Sequence, residues 1–151
     1  MEVKEILALK GAAIVTVPPT ATIEALCKVL REKRIGAITV SSDGKKIEGV
    51  ISERDIAYGL AEHGAKLHAM LVSALMTKDV ITCAPKDSTA LVASTMLSRR
   101  IRHIPVEENG SVAGMVSIRD VLGSQLVDLQ QQTAQLRKFL HEADRPPQDR
   151  E

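Results

Sequence analysis

Gly49-Val50-Ile51-Ser52-Glu53-Arg54-Asp55-Ile56 and Gly114-Met115-Val116-Ser117-Ile118-Arg119-Asp120-Val121 are one pattern written twice, 65 positions apart. Each runs from a glycine through two apolar residues to a serine, then places an arginine and an aspartate just beyond. Upstream, Thr16–Val40 lies over Thr82–Val106 at an offset of 66, with Pro19 on Pro85, Ile35 on Ile101 and Val40 on Val106. One residue has therefore been lost from the turn between the matched blocks. A repeat of this kind decides the architecture before any single motif is read, because each copy must be one structural unit.

Both copies predict the same elements. Ala13–Val17 and Val80–Cys83 are short β-branched runs closed by proline, the mark of a strand ending at a turn. Ile23, Leu26, Cys27 and Leu30 then recur at helical spacing behind Thr22 as a cap, and Leu91, Val92 and Met96 follow Asp87 or Ser88. Ile35–Val40 and Ile47–Ser52 flank Asp43-Gly44, while Ile101–Val106 and Val112–Ser117 flank Asn109-Gly110, which predicts two hairpins. A further helix begins near Glu53 and near Ile118. Each half is thus β-α-β-β-α, of the α/β (α+β) class, and about seventy residues of that kind cannot cover both faces of a sheet, so the halves are expected to pack together.

The expected division is a first repeat with the N-terminal segment over 1–64, a second repeat with its linker over 65–125, a C-terminal helix over 126–143 and a disordered tail over 144–151. Leu122, Leu126, Leu129, Thr133, Leu136 and Leu140 fall at alternating spacings of four and three, a heptad seam interrupted only at the threonine. That seam either lies along its own domain or pairs with a second chain, and two heptads of leucine favour pairing.

Composition narrows the function. In 151 residues, 44% hydrophobic and 26% charged, a globular unit with a sizeable core is expected without disulfides or structural metal. One Tyr, one Phe and no Trp leave too few platforms to stack successive bases, and a formal net charge of +1 provides no field for polyanions, so nucleic acid is not an expected partner. The opening Met1-Glu2-Val3-Lys4-Glu5 places charges where a secretory leader needs an apolar stretch, and no run approaches a membrane span; a cytoplasmic protein with no membrane partner is expected. Cys27 and Cys83 read as small buried hydrophobes, and His63, His68 and His141 as solvated residues in linker or tail, with no metal-ligand spacing among them.

The duplicated junction is where chemistry concentrates. A strand ends at Ser52 or Ser117 and a helix starts at once, so free backbone N–H groups and the positive helix end converge there. Ser and Arg side chains bond phosphate oxygens, and an aspartate in the first turn accepts from paired hydroxyls such as those of a ribose. A lone Ser-x-x-Asp is also an ordinary way to cap a helix. Duplication shifts the weight, since capping requires neither the same arginine nor the same aspartate twice.

The repeat, the duplicated junction and the segment Arg102-His103-Ile104-Pro105-Val106 together resemble a tandem pair of cystathionine beta-synthase (CBS) domains, a Bateman module, over about residues 10–125. The C-terminal helical extension also resembles small stand-alone members of that family. The resemblance implies two β-α-β-β-α repeats packed as a pseudo-twofold pair, with central clefts that bind AMP, ADP, ATP, NAD(H) or S-adenosylmethionine. It implies that Asp55 and Asp120 hold ribose hydroxyls and that Ser52, Arg54, Ser117 and Arg119 face phosphate. Backbone from Ile35 through Gly36 to Ala37, and from Ile101 through Arg102 to His103, would line the adenine pockets. The copies differ where Gly36 and Ala37 stand against Arg102 and His103, and where Thr39 replaces Pro105, so the clefts are unequal and the one holding Asp120 is favoured for a phosphorylated ligand.

The resulting expectation is a non-enzymatic module that binds an adenine nucleotide, AMP foremost, requires no metal, forms a homodimer and signals to a separate protein in trans. Two alternatives stand beside it: a homodimerisation scaffold without ligand, and a small hydrolase or transferase using Asp55 or Asp120 as base. The second lacks a nucleophile triad, a phosphate loop or a metal triad in the sequence.

Overall fold

The computed structural model describes residues 1–11 and 13–145. In chain order its elements are α1 (Val3–Lys10), β1 (Thr16–Val17), α2 (Ile23–Lys33), β2 (Ala37–Val40), β3 (Gly49–Ser52), α3 (Glu53–His63), a 3₁₀ segment (Gly64–Ala69), α4 (Val72–Leu75), α5 (Thr89–Arg99), β4 (His103–Glu108), β5 (Ser111–Ser117) and α6 (Ile118–Ala143). The two repeats are visible as α2-β2-β3-α3 and α5-β4-β5-α6. Thr22 accepts from the backbone of Ala25 and Ser88 from that of Leu91, so both repeat helices start at a hydroxyl cap. Both end at an arginine in the left-handed region, Arg34 and Arg100. Asn109 and Gly110 also have positive φ, which suits the tight two-residue turn of the second hairpin.

The strands expected ahead of each repeat helix are shorter than the sequence predicts. Ala13–Val17 reduces to the two residues of β1, parallel to β2. Val80–Cys83 is not a strand; Cys83 makes a single parallel bridge to Val106, with its N–H donating to Pro105 O at 3.1 Å and its carbonyl accepting from Glu107 N–H at 2.8 Å. The chain turns into proline directly after Val17 and one residue after Cys83, and proline has no N–H to extend a ladder. The first sheet therefore has three strands, in the order β1-β2-β3, and the second has two.

Two cores follow the repeat. One gathers Val17, Ile23, Leu26, Leu30, Ile38, Val40 and Ile51; the other gathers Cys83, Val92, Met96, Ile104, Val106, Val116 and Val121. Each core is closed by a segment from the opposite side of the chain. Val3 and Ile6 of α1 lie in the second core, while Leu67 and Val72 of the linker lie in the first. The N-terminal segment assigned by chain order to the first repeat thus packs on the second, and the linker assigned to the second packs on the first.

The exchange is symmetric down to its hydrogen bonds. Val3 N–H donates to Asp87 O and Val72 N–H to Ala21 O; Lys4 N–H donates to Pro85 O and Ser73 N–H to Pro19 O; Thr89 N–H donates to Met1 O and Ile23 N–H to Met70 O. Met1–Leu7 and Met70–Met76 are therefore counterparts. Gly49 and Gly114 make the seating possible: a Cβ on Gly49 would lie 2.7 Å from Met76 Sδ, and one on Gly114 2.7 Å from Leu7 Cδ2. Because α1 completes the second core, Ile6→Ala, at a residue 4% exposed, is expected to cost about 2–5 kcal/mol in urea unfolding. A loss below 1 kcal/mol would show that α1 is only loosely docked.

The predicted C-terminal helix is continuous with the second junction. α6 runs 26 residues from Ile118 to Ala143. Asp144 and Arg145 follow it, and the rest of the tail expected to be disordered, 146–151, lies outside the described residues.

Candidate functional site

The repeats meet where their junctions converge. Gly36 precedes β2, Glu53 opens α3, and His103 opens β4 of the other repeat. A Cβ built on Gly36 would lie 2.8 Å from Glu53 Oε1 and 3.2 Å from His103 Cε1, so three positions from two repeats share one small space. Gly36 O accepts from Glu53 N–H at 2.9 Å, and its counterpart Arg102 O accepts from Ile118 N–H at 2.8 Å. Across the same boundary Arg54 Nη1 donates to Arg100 O at 3.4 Å, and Val112 N–H to Lys45 O at 2.8 Å.

The two junctions share a geometry. Ser52 N–H donates to Asp55 Oδ2 at 2.8 Å and Ser52 Oγ donates to the same oxygen at 3.1 Å. Ser117 N–H donates to Asp120 Oδ2 at 2.9 Å, and Asp120 N–H donates to Ser117 Oγ at 3.2 Å. Both pairs are capping boxes. The capping reading and the ligand reading are compatible, because a box that fixes the aspartate rotamer also presents its other oxygen.

The sequence-predicted residues divide by exposure. Ser52, Asp55, Ser117, Asp120, Ile35, Gly36, Ile101 and His103 are half-buried; Arg54, Arg102 and Arg119 are exposed at the rim; Ala37 and Pro105 are buried within their strands, as is Thr39. Ile35 and Gly36 line an open pocket of about 320 Å³ together with Leu30, Arg31, Arg34 and Glu53, on the first repeat's side of the boundary.

Two participants escaped sequence reasoning. Glu53 lies inside the quoted motif, yet its counterpart is Ile118, so the repeat does not mark it. Lys10, at the end of α1, donates from Nζ to Asp120 Oδ2 at 2.7 Å and to Met115 O at 3.0 Å. Nothing in the sequence pairs residues 110 positions apart, and only the crosswise packing of α1 brings them together. Burial raises the Asp120 pKa, but the Lys10 ammonium and the Ser117 bonds outweigh it and hold the carboxyl below its ordinary range. Burial lowers the His103 pKa, aided by Lys10 and Arg102 and opposed by Glu53 and Asp120.

The thiols show the opposite of nucleophile activation. Cys27 and Cys83 are both free, and burial, with a contribution from Asp87, pushes Cys83 up to about 12. Among the described residues no group of three or more His, Cys, Asp or Glu side chains is placed to hold a metal ion. No helix of the described residues is long and apolar enough to cross a membrane.

Comparison with known proteins agrees with the repeat. The CBS domain family profile matches residues 3–62 and 72–126, so each matched block begins at one of the exchanged segments. The CBS domain-containing protein CBSCBSPB1 of Arabidopsis thaliana is 27% identical over 114 residues, 76% of this chain and 21% of that protein. The chain thus spans about a fifth of the length of such plant relatives. The crystal structure of the CBS-domain containing protein ATU1752 from Agrobacterium tumefaciens is 38% identical, with a TM-score of 0.79 over 83% of this chain and 99% of that one. The CBS domain pair of protein MJ0100, solved in complex with 5-methylthioadenosine and S-adenosyl-L-methionine, is 26% identical, with a TM-score of 0.72 over 86% of this chain and 98% of that one. With two matched repeats in sequence and the same paired fold in space, the chain belongs to the CBS-domain family as a tandem pair with a long C-terminal helix.

Proposed function

We propose that the chain is a non-enzymatic regulatory module that binds an adenine nucleotide between its repeats and signals to a separate protein in trans. AMP is the foremost ligand; ADP, ATP, NAD(H) and S-adenosylmethionine are its competitors, and no metal is required. The observation that carries this reading is the second junction. There Ser117 and Asp120 stand at the head of α6, and Arg102, Arg119 and His103, adjacent in sequence or across the β4–β5 ladder, would supply the groups for phosphate. The adenosyl ligands of the MJ0100 pair support the same ligand class here.

In this reading α6 would carry the signal. α6 starts at the ligand motif and continues unbroken for 26 residues to an exposed leucine seam. A ligand that moves the first turn of α6 therefore moves the seam as one rigid element. We place the module in the cytoplasm as a homodimer. The exposed seam would equally suit a dimerisation scaffold with empty clefts, and ligand binding separates the two readings.

If the native state alone binds AMP, a concentration one hundred times the dissociation constant adds about 2.7 kcal/mol of stability, a rise of roughly 5–10 °C in melting temperature for a domain of this size. Melting curves unmoved by millimolar AMP, ATP, NADH and S-adenosylmethionine would leave the scaffold reading. Turnover of any of these ligands in the same titration would revive the hydrolase.

A further inference from the structure

The Lys10–Asp120 pair can be read as an inventory of donors and acceptors. Asp120 Oδ2 accepts from Lys10 Nζ at 2.7 Å and from Ser117 N–H at 2.9 Å, which fills both of its lone-pair sites. Among the described residues no hydrogen bond ends on Asp120 Oδ1. The Lys10 ammonium has three N–H donors, of which Asp120 and Met115 O take two. The Lys10 side chain is 40% exposed and that of Asp120 19%, so both remain open to a ligand.

What remains is one acceptor and one donor, side by side, on a pair that is neutral overall. A phosphate carries most of two negative charges at neutral pH and is repelled by the carboxylate, and an ammonium has no lone pair to take the lysine hydrogen. A hydroxyl has both. We propose that Lys10 is a specificity-determining residue of the second cleft: with Asp120 it recognises a ribose hydroxyl and selects ribonucleotides over deoxyribonucleotides. The inference rests on the adenine-nucleotide reading above and adds a residue and a selectivity to it. A deoxyribose would present a C–H to both groups and leave a partly desolvated ion pair without its partner. In the first cleft Asp55 Oδ2 accepts twice from Ser52, and no lysine is bonded to Asp55 among the described residues, so selection there is weaker.

Isothermal titration of the full chain with AMP, 2′-deoxy-AMP and 3′-deoxy-AMP, repeated on Lys10→Met and Lys10→Arg, tests this. The intact chain is expected to bind AMP about ten- to a hundredfold more tightly than at least one deoxy analogue. In Lys10→Met that ratio narrows about tenfold, and in Lys10→Arg most of it returns, because only arginine restores a donor at the hydroxyl. The ratio, rather than the affinity, is the readout, so a general loosening of α1 does not imitate the result; melting of each free variant reports that loosening separately. A ratio unchanged in Lys10→Met overturns the inference while leaving the nucleotide reading intact. Tighter AMP binding with an unchanged ratio overturns it too, and makes Lys10 a competitor for Asp120. No binding of AMP by the intact, folded chain overturns both.

Discussion

Asp120→Ala is expected to weaken AMP binding about ten- to a hundredfold, and Asp55→Ala to weaken it less. The asymmetry comes from what surrounds each carboxylate. Asp120 is held charged by Lys10 and by the Ser117 backbone, so a bond from it to a ribose hydroxyl would be charge-assisted and worth about 1.5–3 kcal/mol. In the proposed reading its repeat would offer Arg102 and His103 to phosphate, where the first repeat has Gly36 and Ala37, which offer backbone alone. Both substitutions also open a capping box, at a cost of about 0.5–2 kcal/mol to the start of a helix. That cost falls on both variants, so comparing their calorimetric affinities cancels most of it, and melting of the free proteins measures the remainder. Asp120→Asn, which keeps an acceptor for Ser117 N–H, is expected to recover the cap but not the affinity. If Asp55→Ala proved the more damaging, the ranking of the clefts would be reversed.

The features legible in the sequence were those set locally and confirmed by repetition. The hydroxyl caps at Thr22 and Ser88, the helix starts at Glu53 and Ile118 and the hairpin at Asn109-Gly110 each depend on a few neighbouring residues, and each stands where the sequence predicts it. Ahead of α5 the β-branched run Val80–Cys83 forms only one bridge, because β-branched content measures preference, whereas a ladder needs a partner and donors, and Pro85 supplies none. The crosswise exchange left a weaker trace. Met1 over Met70, Val3 over Val72 and Ile6 over Leu75 align at an offset of 69, and the shift from 66 hides them from a search at one register. Even with that match found, which core a short helix closes is decided by long-range packing. Lys10 joins the site through that exchange, so it was illegible for the same reason, whereas Ser117 and Asp120 were legible because their partners are three residues away.

If the proposed homodimer forms through the C-terminal seam, changing both Leu129 and Leu136 to Asp is expected to leave the chain monomeric at micromolar concentration. Val121 and Ser124 are the buried residues of α6, and Gln125 Nε2 donates to Thr89 Oγ1 at 2.8 Å, so this arc of the helix faces its own domain. Leu122, Leu126, Leu129, Leu136 and Leu140 lie on a different arc and are 54–60% exposed, so the seam does not fold back on its own repeat. Every residue from Leu129 to Ala143 is exposed, and a fifteen-residue helix projecting alone is marginal in water, where isolated helices shorter than about 12–15 residues scarcely hold. In the proposed homodimer a matching seam from a second copy would cover the leucines at heptad spacing and support the projecting turns. An aspartate buried at either position would leave an unpaired charge in that contact, at several kcal/mol per ion, against the roughly 8 kcal/mol that a micromolar dissociation constant represents. In the separated protomer both side chains are in solvent, and the proposed clefts, which would be built from residues up to Asp120, are expected still to bind AMP. Light scattering decides the matter. A double variant that remains a dimer would move the interface to the faces of the repeats, and an intact chain that scatters as a monomer would leave the seam without the partner inferred for it.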